Sequence, residues 1–252
     1  MVEIGAQLYT IRDFTQNPQD FRRSMKKISE IGYKTVQISG AGASVTAPVA
    51  REICDEFGLS IVLTHNDVNR ILHDTEALIR DHEIMGCKYI GLGSMPKKYE
   101  DPEWIGYFAE DFREPVRMIR DAGMKFMYHN HNLDFVRANG KYLLDYLLES
   151  FGPDELGVTL DTYWLQAAGV DTVEWIEKLS DRIPCVHLKD YSVNRNHEVK
   201  WDVVMEGNMN FPRILAALDK SCCEYALVEQ DSCEESPFVC LKRSFDHLMS
   251  IR

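Results

Sequence analysis

Short apolar runs alternate with longer amphipathic stretches along the whole chain, and the two differ in period. Ile4 to Leu8, Thr35 to Ile38, Ser60 to His65 and Tyr89 to Gly93 read as strands, bounded by glycine or polar residues. So do the stretches from Lys125 to His131, Gly157 to Asp161, Pro184 to Leu188 and Tyr225 to Glu229. Between them the apolar residues recur at helical spacing. Asn17-Pro18 supplies an N-cap and a first-turn proline for a helix with Phe21, Met25 and Ile28 on one face. A helix over Pro48 to Phe57 stops at Gly58, and one over Ile71 to Ile84 closes at Gly86. Asp101-Pro102 caps the next, with Trp104, Ile105, Phe108 and Phe112 as its stripe and a kink expected at Pro115. Helices follow near Tyr142 to Leu148, from Asp171 through Leu179, and from Phe211 to Leu218. A polar loop spans Ser192 to Asn208, and Ser236-Pro237 caps a last helix over Phe238 to Met249.

Eight strand–helix units in 252 residues, without linker or low-complexity segment, predict an α/β fold, a single (β/α)8 TIM barrel occupying 1–252 as one domain. A doubly wound open sheet would want a glycine-rich phosphate turn after its first strand, and Gln7-Leu8-Tyr9-Thr10-Ile11-Arg12 is not one. In such a barrel the site lies at the C-terminal strand ends. The polar residues collected there are Gln7 and Arg12, His65, His129 and His131, Asp161, His187 and Lys189, and Glu229 and Gln230. Strand alternation aims His129 and His131 to one side, an arrangement suited to metal ligation or acid–base work.

Charge narrows the partners. A net charge of −12 with no clustered basic face argues against nucleic acid. No run of about twenty apolar residues is present to span a membrane, and the N-terminus carries no basic and apolar leader. Seven irregularly placed cysteines, none in a CxxC pair, read as reduced thiols of a cytoplasmic protein.

The segments His129-Asn130-His131 running on to Asp134-Phe135, Leu160-Asp161-Thr162-Tyr163-Trp164, His187-Leu188-Lys189-Asp190, Gly207-Asn208 and Val228-Glu229-Gln230-Asp231 together resemble the sugar phosphate isomerase/epimerase superfamily. These are the xylose-isomerase-like barrels that include tagatose 3-epimerase, inosose isomerases and inosose dehydratases. The resemblance covers essentially the whole chain. It implies one divalent cation held by a carboxylate, an aspartate, a histidine and a glutamate on four successive strands. Asp161, His187 and Glu229 match the last three, and His129 stands where many members carry glutamate. Whether His129 or His131 is the fourth ligand stays open. Trp164 stands where the epimerases have a substrate-contacting histidine.

The resemblance implies Lewis-acid chemistry on a sugar-like substrate through an ene-diolate, with Glu229, Lys189 and His129 as catalytic groups. A mixed nitrogen and oxygen donor set suits Mn, Zn, Fe or Co better than Mg. Gln7, Tyr9, His65, His131, Trp164 and Gln230 are the expected substrate-binding residues, Tyr9 and Trp164 as an apolar wall. Asp134 and Arg137 read as a loop ion pair. The acidic loop Asp231-Ser232-Cys233-Glu234-Glu235 would repel phosphate, with only Arg195, His197 and Lys200 to compensate, so the expected substrate is a non-phosphorylated sugar or polyol. The leading expectation is an isomerase or epimerase. A metal-dependent lyase or hydratase working by β-elimination on a keto-glycoside or an inosose competes, because one glutamate of the usual pair is missing. A non-catalytic sugar-binding barrel is the third reading, and an endonuclease-IV-like barrel lacks the histidines and basic surface it needs. A homo-oligomer is left open.

Overall fold

The computed structural model describes residues 1–101 and 103–252. Its eight parallel strands are β1 Glu3–Gln7, β2 Thr35–Ile38, β3 Ser60–Asn66, β4 Tyr89–Leu92, β5 Lys125–His129, β6 Leu156–Asp161, β7 Cys185–Leu188 and β8 Tyr225–Val228. They close in chain order, with β8 pairing β1 at Val228 opposite Ala6, into the (β/α)8 barrel that the alternating pattern predicts. The helices form the outer ring and bury their apolar stripes against the barrel wall, where most of the core lies. Among the described residues no helix is long and apolar enough to cross a membrane.

Inside the barrel the period of two is decisive. Leu63, Met127, Cys185 and Leu227 belong to a small interior cluster. Each sits two residues before a polar strand-end residue: His65, His129, His187 and Glu229 respectively. The apolar layer is therefore the floor, and the polar layer above it is the base of an open cavity.

Several elements differ from the sequence reading. The helix expected from Ile71 to Ile84 is two helices, Val68–His73 and Thr75–Met85, broken at Asp74, whose backbone leaves the helical region. The helix Ile105–Asp121 runs on through Pro115, which is buried on its inner face. Trp104 is not part of the buried stripe and stays 45% exposed. Residue 102, half of the expected Asp101-Pro102 cap, lies outside the described residues. A short helix, Thr162–Ala167, follows β6 directly. The polar loop after β7 holds an antiparallel hairpin, Asp190–Val193 with Val199–Asp202.

Candidate metal centre

Four contiguous strands, β5 to β8, deliver His129, Asp161, His187 and Glu229 to one place. One ligand atom from each lies within 4.8 Å of all the others, and all four residues are buried. Register explains the convergence, since Asp161 pairs with His187 across β6 and β7, and His187 with Leu227 across β7 and β8.

The hydrogen bonds around the cluster aim its lone pairs inward. His187 Nε2 lies 2.7 Å from Gln37 Oε1, so it is the N–H that donates, and Nδ1 is the ring nitrogen left facing the cluster. That Nδ1 stands 2.9 Å from Glu229 Oε2. The two atoms are not aligned for a hydrogen bond, and neither makes one elsewhere. His129 Nδ1 donates to the Gly93 carbonyl at 2.7 Å, which turns its Nε2 lone pair toward Asp161 Oδ2 at 3.2 Å. Asp161 divides its work. Oδ1 caps the helix after β6, accepting from the Tyr163 and Trp164 amides at 2.9 and 3.1 Å, while Oδ2 faces the centre. Glu229 does likewise, with Oε1 accepting from Gln7 Nε2 at 3.0 Å. Four electron-rich atoms facing one point repel each other unless a cation lies among them, so this donor set fits one.

The balance of charge points the same way. Lys189 Nζ is 3.1 Å from Asp161 Oδ2, 3.2 Å from Glu229 Oε2 and 3.1 Å from Asp231 Oδ1. One ammonium among three carboxylates leaves an uncompensated charge of two, which a divalent cation matches. Burial alone would push Lys189 down, but those carboxylates hold it well above its ordinary value. Burial would raise Asp161 and Glu229, yet the Lys189 ammonium holds both well below the usual carboxylate range. His187 is also raised against the pull of burial, by Glu229 and Asp161. Burial and the neighbouring His129 push His131 down to about 3, so it is a neutral imidazole at neutral pH.

The cavity above the cluster has a volume of about 760 Å³. Of the residues expected around the substrate, Gln7, Tyr9, His65, His131 and Trp164 line it. Gln230 does not, because its amide donates to the carbonyls of Ser232 and Trp201 at 3.0 and 3.4 Å. His131 stacks edge-on against His129 at 4.6 Å but lies outside the four-residue cluster. The Asp134–Arg137 pair is not formed. Asp134 is buried and accepts from the Tyr128 hydroxyl at 2.6 Å and the His131 amide at 2.7 Å, whereas Arg137 turns to the Tyr142 hydroxyl. Lys200 pairs with Glu234 and Asp202, and neither it nor Arg195 or His197 lines the cavity. Gln37 and Trp201 are among the contributors that the sequence did not put forward. Gln37 had a visible signal, a glutamine inside the short apolar strand β2. Trp201 had none, because it reaches the cavity from the unforeseen hairpin.

Fold and site together define a parallel (β/α)8 barrel whose C-terminal rim carries a buried cluster of two histidines, an aspartate and a glutamate able to hold one divalent cation. Residues 25–232 match the xylose isomerase-like TIM barrel family, and the chain belongs to it. Among curated proteins it is similar to the inosose dehydratase of Geobacillus kaustophilus (strain HTA426), 25% identical over 190 residues covering 66% of this chain and 60% of that protein. The inosose dehydratase of Clostridium perfringens (strain 13 / Type A) is 27% identical over 146 residues, 52% of this chain and 48% of that protein. The chain thus spans between about half and three-fifths of the length of these relatives. Among solved structures, a sugar phosphate isomerase/epimerase from Parabacteroides distasonis ATCC 8503 superposes with a TM-score of 0.82 at 21% identity, covering 99% of this chain and 94% of that one. An L-ribulose 3-epimerase superposes at 0.78 with 14% identity and the same coverage of both chains. At these identities the structural likenesses establish the fold.

Proposed function

We propose that this protein is a divalent-metal-dependent isomerase or epimerase that removes a proton beside the carbonyl of a non-phosphorylated keto- or aldo-sugar or inositol derivative, through an ene-diolate. The observation that carries the reading is the convergence of four lone-pair donors, His129, Asp161, His187 and Glu229, beneath an open polar cavity. Two nitrogens and two oxygens favour Mn, Zn, Fe or Co over Mg. Bound there, the cation supplies Lewis-acid polarisation of a substrate carbonyl.

The chain's own residues do the rest. Glu229 is ionised and acts as the base, its second oxygen held by Gln7. Lys189 offers its ammonium to the developing oxyanion, and it becomes a stronger acid once two of its three carboxylates are shared with a cation. His131 and His65 line the cavity and are the imidazoles placed to meet substrate hydroxyls. The cavity's four carboxylates, Asp67, Asp161, Glu229 and Asp231, balance Lys189, Arg12 and one divalent cation to no net charge, which supports an uncharged substrate.

A second reading is β-elimination by the same machinery. It is favoured by His129 occupying the place of a second carboxylate, which leaves Glu229 as the one glutamate of the usual pair, and by the likeness to proteins named inosose dehydratase. Proton NMR in D₂O over a panel of keto-sugars and inososes decides between the two. Solvent exchange beside the carbonyl without mass loss is the isomerase outcome, and an enone or a released substituent is the lyase outcome. Exchange on none of them, with Mn²⁺ present, rejects both.

A further inference from the structure

The cavity is larger than the chemistry at its base requires. A volume of about 760 Å³ lies well inside the range of about 300–1,000 Å³ for pockets that engulf drug-sized ligands. One pyranose or cyclitol ring over the His129–Asp161–His187–Glu229 cluster leaves much of that space unfilled. The extra space is not uniformly polar, because the indoles of Trp164 and Trp201 and the phenol ring of Tyr9 line it.

These rings are arranged as a built wall. Trp164 stands next to the cluster, 4.8 Å from the His131 ring and 5.7 Å from Lys189 Nζ, centroid measured. Tyr163 packs between the two indoles, 4.8 Å from Trp164 and 5.8 Å from Trp201, and touches Tyr191 at 5.6 Å. Trp201 rides on the hairpin Asp190–Val193/Val199–Asp202, where it pairs with Tyr191. That hairpin is anchored by Asp190, whose carboxylate accepts from the backbone amides of Tyr191, Met205, Gly207 and Met209 at 2.8 to 3.2 Å. The indole N–H groups of Trp164 and Trp201 are both buried without a protein acceptor. Two held aromatic faces match the flat face of a second cyclic group.

We propose that Trp164 and Trp201 form a second subsite for a cyclic aglycone or second sugar ring, so that the substrate is a glycoside and not a free monosaccharide or cyclitol. The proposal rests on the reading that the carbonyl-bearing ring sits over the four-residue cluster. A glycosidic substituent there also gives the elimination reading its leaving group. The C–O bond to the aglycone breaks, its electron pair leaves with the aglycone oxygen, and the proton taken up by that oxygen balances the proton removed beside the carbonyl.

The test is calorimetric titration of the Mn²⁺-loaded protein with D-glucose, methyl β-D-glucoside and phenyl β-D-glucoside. The expected result is at least tenfold tighter binding of the phenyl glucoside than of the other two. The preference should collapse to within twofold in Trp201→Ala and persist in Trp201→Phe, which keeps an aromatic face and controls for hairpin damage. Equal affinity for the methyl and phenyl glucosides, no binding of the phenyl glucoside, or a preference that survives in Trp201→Ala overturns the subsite. A preceding titration with Mn²⁺ alone separates the two readings. Mn²⁺ uptake without a phenyl preference rejects the second subsite only, whereas failure to take up Mn²⁺ rejects the metal chemistry and leaves the subsite to stand on its own titration.

Discussion

His187 shows how much of this centre depends on residues that touch no ion. Its tautomer is set by Gln37, a side chain from β2 on the far side of the barrel in sequence, 2.7 Å from Nε2 and fully buried. Without that acceptor, the proton is free to sit on Nδ1, the atom that faces Glu229, and the lone pair the cluster needs is lost. Gln37→Leu keeps the volume and removes the acceptor. The expected outcome is a loss of Mn²⁺ affinity of about 10–100-fold with the fold retained, the usual effect of removing a group that orients a metal-ligating histidine. Calorimetric titration beside a near-UV circular dichroism spectrum checks it, and an unchanged affinity would mean that His187 does not ligate through Nδ1. Lys189 works in the opposite sense. Its ammonium bridges the same Asp161 and Glu229 oxygens that face the centre, so it holds those carboxylates together whenever no other cation does.

Each element shows which parts of the site were open to sequence reading. The strands were legible because each is a short apolar run ending in a polar residue, and a period of two then places Met127, Cys185 and Leu227 beneath His129, His187 and Glu229. The helix Thr162–Ala167 was hidden because its N-cap, Asp161, is also the last residue of a strand. The hairpin after β7 was hidden because its strands are polar and half exposed, with no buried face to impose alternation. It is held through Asp190 and Gly207, where an added Cβ would come within 2.3 Å of the Asp190 carboxylate. The turn after β5 misled for a different reason: Asp134 and Arg137 are neighbours in sequence, but the aspartate turns inward to Tyr128. Burial pushes its carboxyl up to about 7, against the pull of the Tyr128 hydroxyl and the His131 amide. A folded-state value above the unfolded one, about 3.9, gives stability that is fully present below pH ~4 and lost as pH rises through about 7. Relative to Asp134→Asn, which does not titrate, the native chain should therefore lose a few kcal/mol of its advantage between pH ~4 and ~7, at most about 1.4 kcal/mol for each pH unit crossed. Urea unfolding of both proteins across that window measures it, and parallel profiles would show that Asp134 is not held up by burial.

Across the whole molecule the four candidate ligands come from β5, β6, β7 and β8, so a cation at their centre would tie half the barrel wall together at its open rim. Any ligand that binds only the folded chain stabilises it by mass action, about 2.7 kcal/mol at a hundred times its dissociation constant. For a chain of 252 residues each kcal/mol moves the melting temperature by about 2–4 °C, so saturating metal should raise it by about 5–10 °C over the chelator-treated protein. The donor set ranks the ions: Mn²⁺, Co²⁺ and Zn²⁺ should each give a larger shift than Mg²⁺ at equal concentration. Chelation should lower the melting point without unfolding the chain at room temperature. Lys189 already supplies one positive charge to the carboxylates, and the apolar floor of Leu63, Met127, Cys185 and Leu227 does not depend on the ion. Differential scanning calorimetry with EDTA and then with each ion measures both effects. If none of the four ions moves the transition, the converging lone pairs are not a metal centre, and the barrel is left with a polar cavity suited to binding sugars without transforming them.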